Sequence, residues 1–119
     1  MKRSEFFELK EQISNEGMLK LKIVSDSMEP LMPVGQFYKV AKLNDEIKRF
    51  DIVVFFRDDK LVAHYVWNKN TLRGVSYSTR SLKEPDKDEI PVNEADVLGL
   101  LVGQKIGFFR KLGLSLRYA

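Results

Sequence analysis

Two apolar runs separated by a charged turn constrain this chain more than any other feature. Ile52-Val53-Val54-Phe55-Phe56 is too short for a comfortable helix and too rich in β-branched and aromatic residues. Asp58-Asp59-Lys60 interrupts the run as a turn, and Leu61 to Trp67 returns as its hairpin partner. Other stretches read the same way. Met18 to Val24 alternates apolar residues with Lys20 and Lys22, as a half-buried strand does, and Gln36 to Leu43, Arg73 to Arg80 and Asp96 to Val102 are further strand candidates. Ser81 to Glu94 is polar and contains proline, which predicts a loop. The fold class expected is mainly β.

Helical periodicity is confined to the ends. Ser4 is a candidate N-cap, Glu5 and Glu8 suit the first turn, and Phe6, Leu9 and Ile13 follow at helical spacing. With Gly17 as the stop, the pattern predicts a short amphipathic helix over 5–15 that packs on the core. Near the C-terminus, Phe109, Leu112 and Leu116 would share one helical face beside Arg110, Lys111 and Arg117, although Gly107 and Gly113 weaken a helix there. Two roles suit this tail: covering the β-core, or peripheral contact with an anionic membrane.

The chain has 119 residues and is 44% hydrophobic, which suits one domain over 1–119 with its own core. Its formal charge of +3 is spread among acidic residues, without the basic stripe of a nucleic-acid binder, so no nucleic-acid partner is expected. There is no cysteine and one histidine, which excludes disulfides, a catalytic thiol and a multi-histidine metal site; no metal or cofactor is expected. No apolar run approaches the roughly 20 residues of a membrane span, and acids interrupt the N-terminal stretch where a signal peptide would be apolar. The expectation is a cytoplasmic protein, with the tail as its one route to a membrane surface.

Chemistry centres on Ser25-Asp26-Ser27-Met28-Glu29-Pro30. Pro30 lacks an N–H and biases Glu29 away from helix, so the chain turns out of the preceding strand and can present a hydroxyl. Serine and aspartate also serve turns simply by bonding their own backbone. As a nucleophile, Ser27 needs a base and an oxyanion site; Ser25 and the Ser27 N–H are donors within reach. The sole histidine, His64, lies in an otherwise apolar strand and shares a face with Val62 and Val66. Two roles fit it: a buried structural histidine satisfied by a carbonyl, or the base that takes a serine proton near neutral pH.

Four blocks, in order, resemble the signal peptidase I and LexA-like serine peptidase superfamily, in its Ser–His branch and short form without membrane spans. Ser25-Asp26-Ser27-Met28-Glu29-Pro30 with Pro33-Val34-Gly35 resembles the family's Ser-x-Ser-Met-x-Pro block. Arg49-Phe50-Asp51-Ile52-Val53-Val54-Phe55 resembles its Arg/Lys-Gly-Asp-Ile-Val-x-Phe block, and Leu61-Val62-Ala63-His64-Tyr65-Val66 resembles the strand of the general base. Tyr77-Ser78-Thr79-Arg80, Pro85-Asp86 and Val97-Leu98-Gly99 resemble the last block. The resemblance spans 18–103.

It implies coiled, mostly antiparallel β-sheets and an extended protein or peptide substrate along a strand edge. It also implies a serine endopeptidase acting through an acyl-enzyme: Ser27 as nucleophile, His64 as general base and Ser25 in the oxyanion hole. Departures qualify the match. The family's Gly-Asp after the threonine is Ser81-Leu82 here, so Asp86, with Asp88 next, is the remaining candidate to orient the imidazole; a solvated loop is the other reading of both. Phe50 stands for the glycine of the earlier Gly-Asp and Tyr65 for the arginine that often follows the histidine, changes expected to alter local backbone or pocket chemistry. The alternative to an enzyme is an inactive relative that binds peptides.

Overall fold

In a computed structural model of the protein, the described residues are 1–44, 46–86 and 90–118, with the backbone alone described at 108, 109 and 118. The order of elements is helix α1 (Arg3–Glu16), strands β1 (Met18–Lys22), β2 (Phe37–Lys42), β3 (Ile52–Arg57), β4 (Lys60–Asn70), β5 (Ser76–Arg80) and β6 (Val92–Asn93), a 3-10 turn over Glu94–Asp96, strand β7 (Val97–Val102) and helix α2 (Phe108–Tyr118). The strands form one sheet in the order β1-β2-β7-β3-β4-β5-β6, every neighbouring pair antiparallel. The mainly β class holds.

The hairpin that dominates the sequence also dominates the sheet. Every residue of Ile52–Phe56 is buried, as is Leu61–Trp67, because β3 and β4 lie inside the sheet with apolar groups against both faces. On one face Ile52, Val54, Phe56, Ala63 and Tyr65 join the main core with Phe6 and Ile13 of α1. On the other, Val53, Phe55, Val62 and Val66 meet Tyr77, Val92 and Val97 in a second cluster. Each large side chain so removed from water contributes on the order of 1.5–3 kcal/mol. The turn between the strands is tighter than expected. Asp58 and Asp59 both adopt positive φ (52° and 60°), matching the twist of the flanking strands, and Lys60 already pairs with Arg57.

Several local expectations are corrected. Helix α1 begins before Ser4: the Glu5 carboxylate accepts the Lys2 N–H at 2.9 Å, so Ser4 lies within the first turn and is not the cap. Gly17 does end the helix, at φ 81°, with its N–H on Ile13 O at 2.8 Å. Within the segment expected as a loop, Val92–Asn93 pairs with Ser76–Tyr77 as an added edge strand. The tail is helical despite its glycines, because Leu114 is buried in the main core. Leu112 and Leu116, expected on its apolar face, are exposed, since Leu114 takes the inward position. No helix among the described residues is long and apolar enough to cross a membrane.

Two aromatic positions carry backbone or polar cost. Phe50 has φ 75°, a left-handed conformation that glycine adopts freely and that costs a bulky residue about 1–3 kcal/mol. Its N–H donates to Val66 O at 2.8 Å, and its ring packs on Tyr65 and Trp67 at 5.9 Å each, which offsets that cost. Tyr65 is fully buried, and its hydroxyl meets no hydrogen-bond partner among the described residues. Burial also pushes its ionisation above the ordinary phenol range. Tyr65→Phe is therefore expected to stabilise the fold by about 1 kcal/mol, seen as a rise of roughly 4 °C in thermal midpoint. Because the folded phenol holds its proton more tightly, stability falls as pH rises past the unfolded phenol value, and the variant should lose that alkaline dependence.

Candidate active site

The serine segment is a loop pinned at both ends. Gly35 N–H donates to Ile23 O at 3.2 Å, closing the β1–β2 connection just beyond the strands. Inside the loop, Glu29 N–H donates to Asp26 O and Met32 N–H to Met28 O, both at 3.0 Å, and the Glu29–Pro30 peptide is cis. Met28 and Met32, each 1% exposed, plug the main core and hold the turn down. The residues between strand and turn, Ser25 to Ser27, are thereby left over the β4 backbone.

Ser27 is held from three sides. Its carbonyl accepts the Lys83 N–H at 3.0 Å, and its hydroxyl donates to Ala63 O at 3.4 Å. Its own N–H donates to Ser25 Oγ at 3.3 Å, and the two serine hydroxyls share a short hydrogen bond. One consistent chain runs from the Ser27 N–H to Ser25 Oγ, from the Ser25 hydroxyl to Ser27 Oγ, and from the Ser27 hydroxyl to Ala63 O. In that arrangement the nucleophile candidate is at rest, its proton held by a carbonyl.

His64, one residue beyond Ala63, is buried at 6% exposure and lies across from Val53 on β3. Phe55 meets its ring edge-on at 5.3 Å, and Thr79 Oγ1 lies 3.4 Å from Nδ1. Thr79 is itself buried on β5, as are Tyr77 on the same strand and Ser81 just beyond its end. Ser25, Ser27 and His64 all line one open cavity of about 300 Å³, together with Val62, Ser81 and charged groups at its rim.

Among those charges, Lys83 pairs with Asp26. The hydrogen bond and charge of Lys83 hold the Asp26 carboxyl below the usual carboxylate range, and Asp26 in turn pushes the Lys83 ammonium up. The Asp26 contribution is present above the ordinary carboxylate value and is lost as pH falls through its lowered one. The Lys83 contribution is present below the ordinary lysine value and is lost as pH rises through its raised one. The pair is thus intact throughout the neutral range, but both groups are well exposed and it adds little to stability.

The structure brings together Ser25, Ser27 and His64. It places Asp86 elsewhere: exposed, ion-paired with Arg117 of α2 at 3.1 Å, and outside the set of residues lining the cavity. Asp88, the second candidate, lies outside the described residues. Thr79, whose Oγ1 lies 3.4 Å from the imidazole Nδ1, is a residue to which the sequence alone assigns no role. Period-two alternation along 73–80 was the available signal, since it turns Thr79 to the same side as Tyr77. Lys83 and the two methionine anchors gave no comparable signal.

Comparison with family models finds no match, and neither does comparison with curated proteins or with solved structures.

Proposed function

We propose that the protein is a serine endopeptidase of the signal peptidase I and LexA-like type, cutting an extended protein segment with Ser27 and His64. One observation carries this reading: two loop serines and the sole histidine, remote in sequence, line the same cavity. In this scheme His64 is the base, with Thr79 Oγ1 3.4 Å from its Nδ1 to help orient the ring. Ser27 Oγ leaves the Ala63 carbonyl, transfers its proton to His64 and attacks the substrate carbonyl. The Ser25 hydroxyl and Ser27 N–H stabilise the oxyanion. His64 then protonates the leaving amine and, in the second half, deprotonates the water that releases the acyl group. Labelling by a serine-directed fluorophosphonate tests the reading: wild type should label and Ser27→Ala should not.

Thr79 is a positioning residue in this scheme, whereas Asp86 is not needed. Thr79→Val should lower kcat about ten-fold with little change in KM and shift the acidic limb of the pH–rate profile, and Thr79→Ser should restore both. Asp86→Asn should leave kcat within about two-fold. The reverse pattern would make Asp86 the orienting acid.

A second reading, a peptide-binding domain without turnover, draws on the surface pairing of Asp86 with Arg117. It predicts peptide binding that survives Ser27→Ala, with no product by mass spectrometry from the wild type.

A further inference from the structure

The outward face of the β1–β2 pair lies opposite α1 and has a composition that the fold does not require. In the register of these strands Lys20 sits directly across from Lys39, and Lys22 across from Phe37. All four are exposed, Phe37 at 60%. Exposed Val102 lies across from Lys39 on β7, and exposed Met18 is on the same face of β1. No carboxylate among the described residues forms an ion pair with any of the three lysines. Like charges directly opposed on a sheet are destabilising.

Lysines on an edge strand guard against strand-to-strand aggregation, which explains Lys20 and Lys22 on β1. That explanation does not reach Lys39, which is on a strand paired on both sides, or a phenyl ring left in water beside it. Uncompensated positive charge interleaved with a phenylalanine, a methionine and a valine complements a surface that is anionic outside and apolar just beneath. We propose that this face docks the protein on an anionic lipid bilayer, with the lysines at the headgroups and Phe37 at the acyl boundary. Single-stranded nucleic acid fits less well: it needs a run of stacking rings, and this face has one. The proposal is independent of the chemistry at Ser27.

Flotation of the full chain with vesicles tests it, using phosphatidylcholine alone or with about one third phosphatidylglycerol. The expected result is binding to the anionic vesicles only, released when salt rises from about 0.1 to 0.5 M. Each lysine near such a surface contributes about five-fold, so Lys20→Gln/Lys22→Gln/Lys39→Gln should weaken partitioning roughly 100-fold. Phe37→Ser should weaken it as well. The control Lys69→Gln/Lys111→Gln/Arg117→Gln removes equal charge elsewhere, α2 included, and should still bind. A charge-retaining Lys20→Arg/Lys22→Arg/Lys39→Arg variant, of wild-type circular dichroism, should bind like the parent. No anionic-vesicle binding, equal loss in the control, or tighter lysine-dependent binding to polyuridylate would overturn the proposal.

Discussion

Ser27→Ala and His64→Ala are each expected to abolish cleavage, lowering kcat at least about 10³-fold, while circular dichroism stays close to wild type. The size follows from their joint action: once either proton donor or acceptor is gone, the other contributes almost nothing, so the double variant should be no worse than either single one. The fold should tolerate Ser27→Ala because the loop is attached chiefly through main-chain groups and Met28 and Met32, while the serine side chain adds one long bond, 3.4 Å, to Ala63 O. His64→Ala removes a buried ring from beside Phe55, so His64→Gln serves as a companion that keeps polar volume there. Cleavage of a mapped substrate surviving in Ser27→Ala would remove this serine from the mechanism. Ser25→Ala should be the milder loss, about 10²-fold, as the loss of one oxyanion donor is.

Gly99→Ala is expected to be the most damaging single methyl addition in the sheet, destabilising by about 3 kcal/mol and lowering the thermal midpoint by roughly 10 °C. Gly99 lies on β7 between Lys42 of β2 and Val54 of β3. A Cβ there would stand 2.1 Å from Ala41 O and 3.0 Å from Val40 Cγ1. The first of these is backbone inside a paired strand and cannot step aside without breaking the β2–β7 pairing. The closeness is local to the β2–β7 crossing, so Gly113→Ala, where an added methyl meets nothing, is the matched control and should be neutral or slightly stabilising. Denaturant midpoints of the two variants, compared with the parent, decide the point; equal stability of Gly99→Ala would mean that the two strands are not this closely apposed.

What the sequence disclosed was set by how local each signal is. β3 and β4 were legible because an unbroken apolar run is short-range information, and their burial on two faces keeps polar residues out. Two-residue β6 was not, because Val92 and Asn93 become a strand only through pairing with Tyr77 and Ser76, fixed by the path of the whole sheet. For α2, the glycine penalty was real but small beside the burial of Leu114, a tertiary term invisible in the tail itself. The site divides likewise. Ser27 and His64 announced themselves by residue type, one before a proline turn and the other alone in an apolar strand. The place of Thr79 beside the imidazole depends on the β4–β5 register, which shifts at an irregularity between Val66 and Asn68 that no periodicity foretells. Asp86 stands out in the sequence only by its position after Pro85, but α2 offers it Arg117, and that pairing belongs to the tertiary fold.

The main-chain bond from Lys83 to Ser27 makes one amide a reporter on the serine loop. Its hydrogen exchanges with solvent only when the loop lifts off or the whole sheet opens. Exchange faster than that of the Val66 amide, which sits on β4 and donates to Asp51 O at 2.8 Å, would measure the free energy of loop release separately from global unfolding. A single resonance thus reads how far the resting state is from one in which the serine can turn toward a partner.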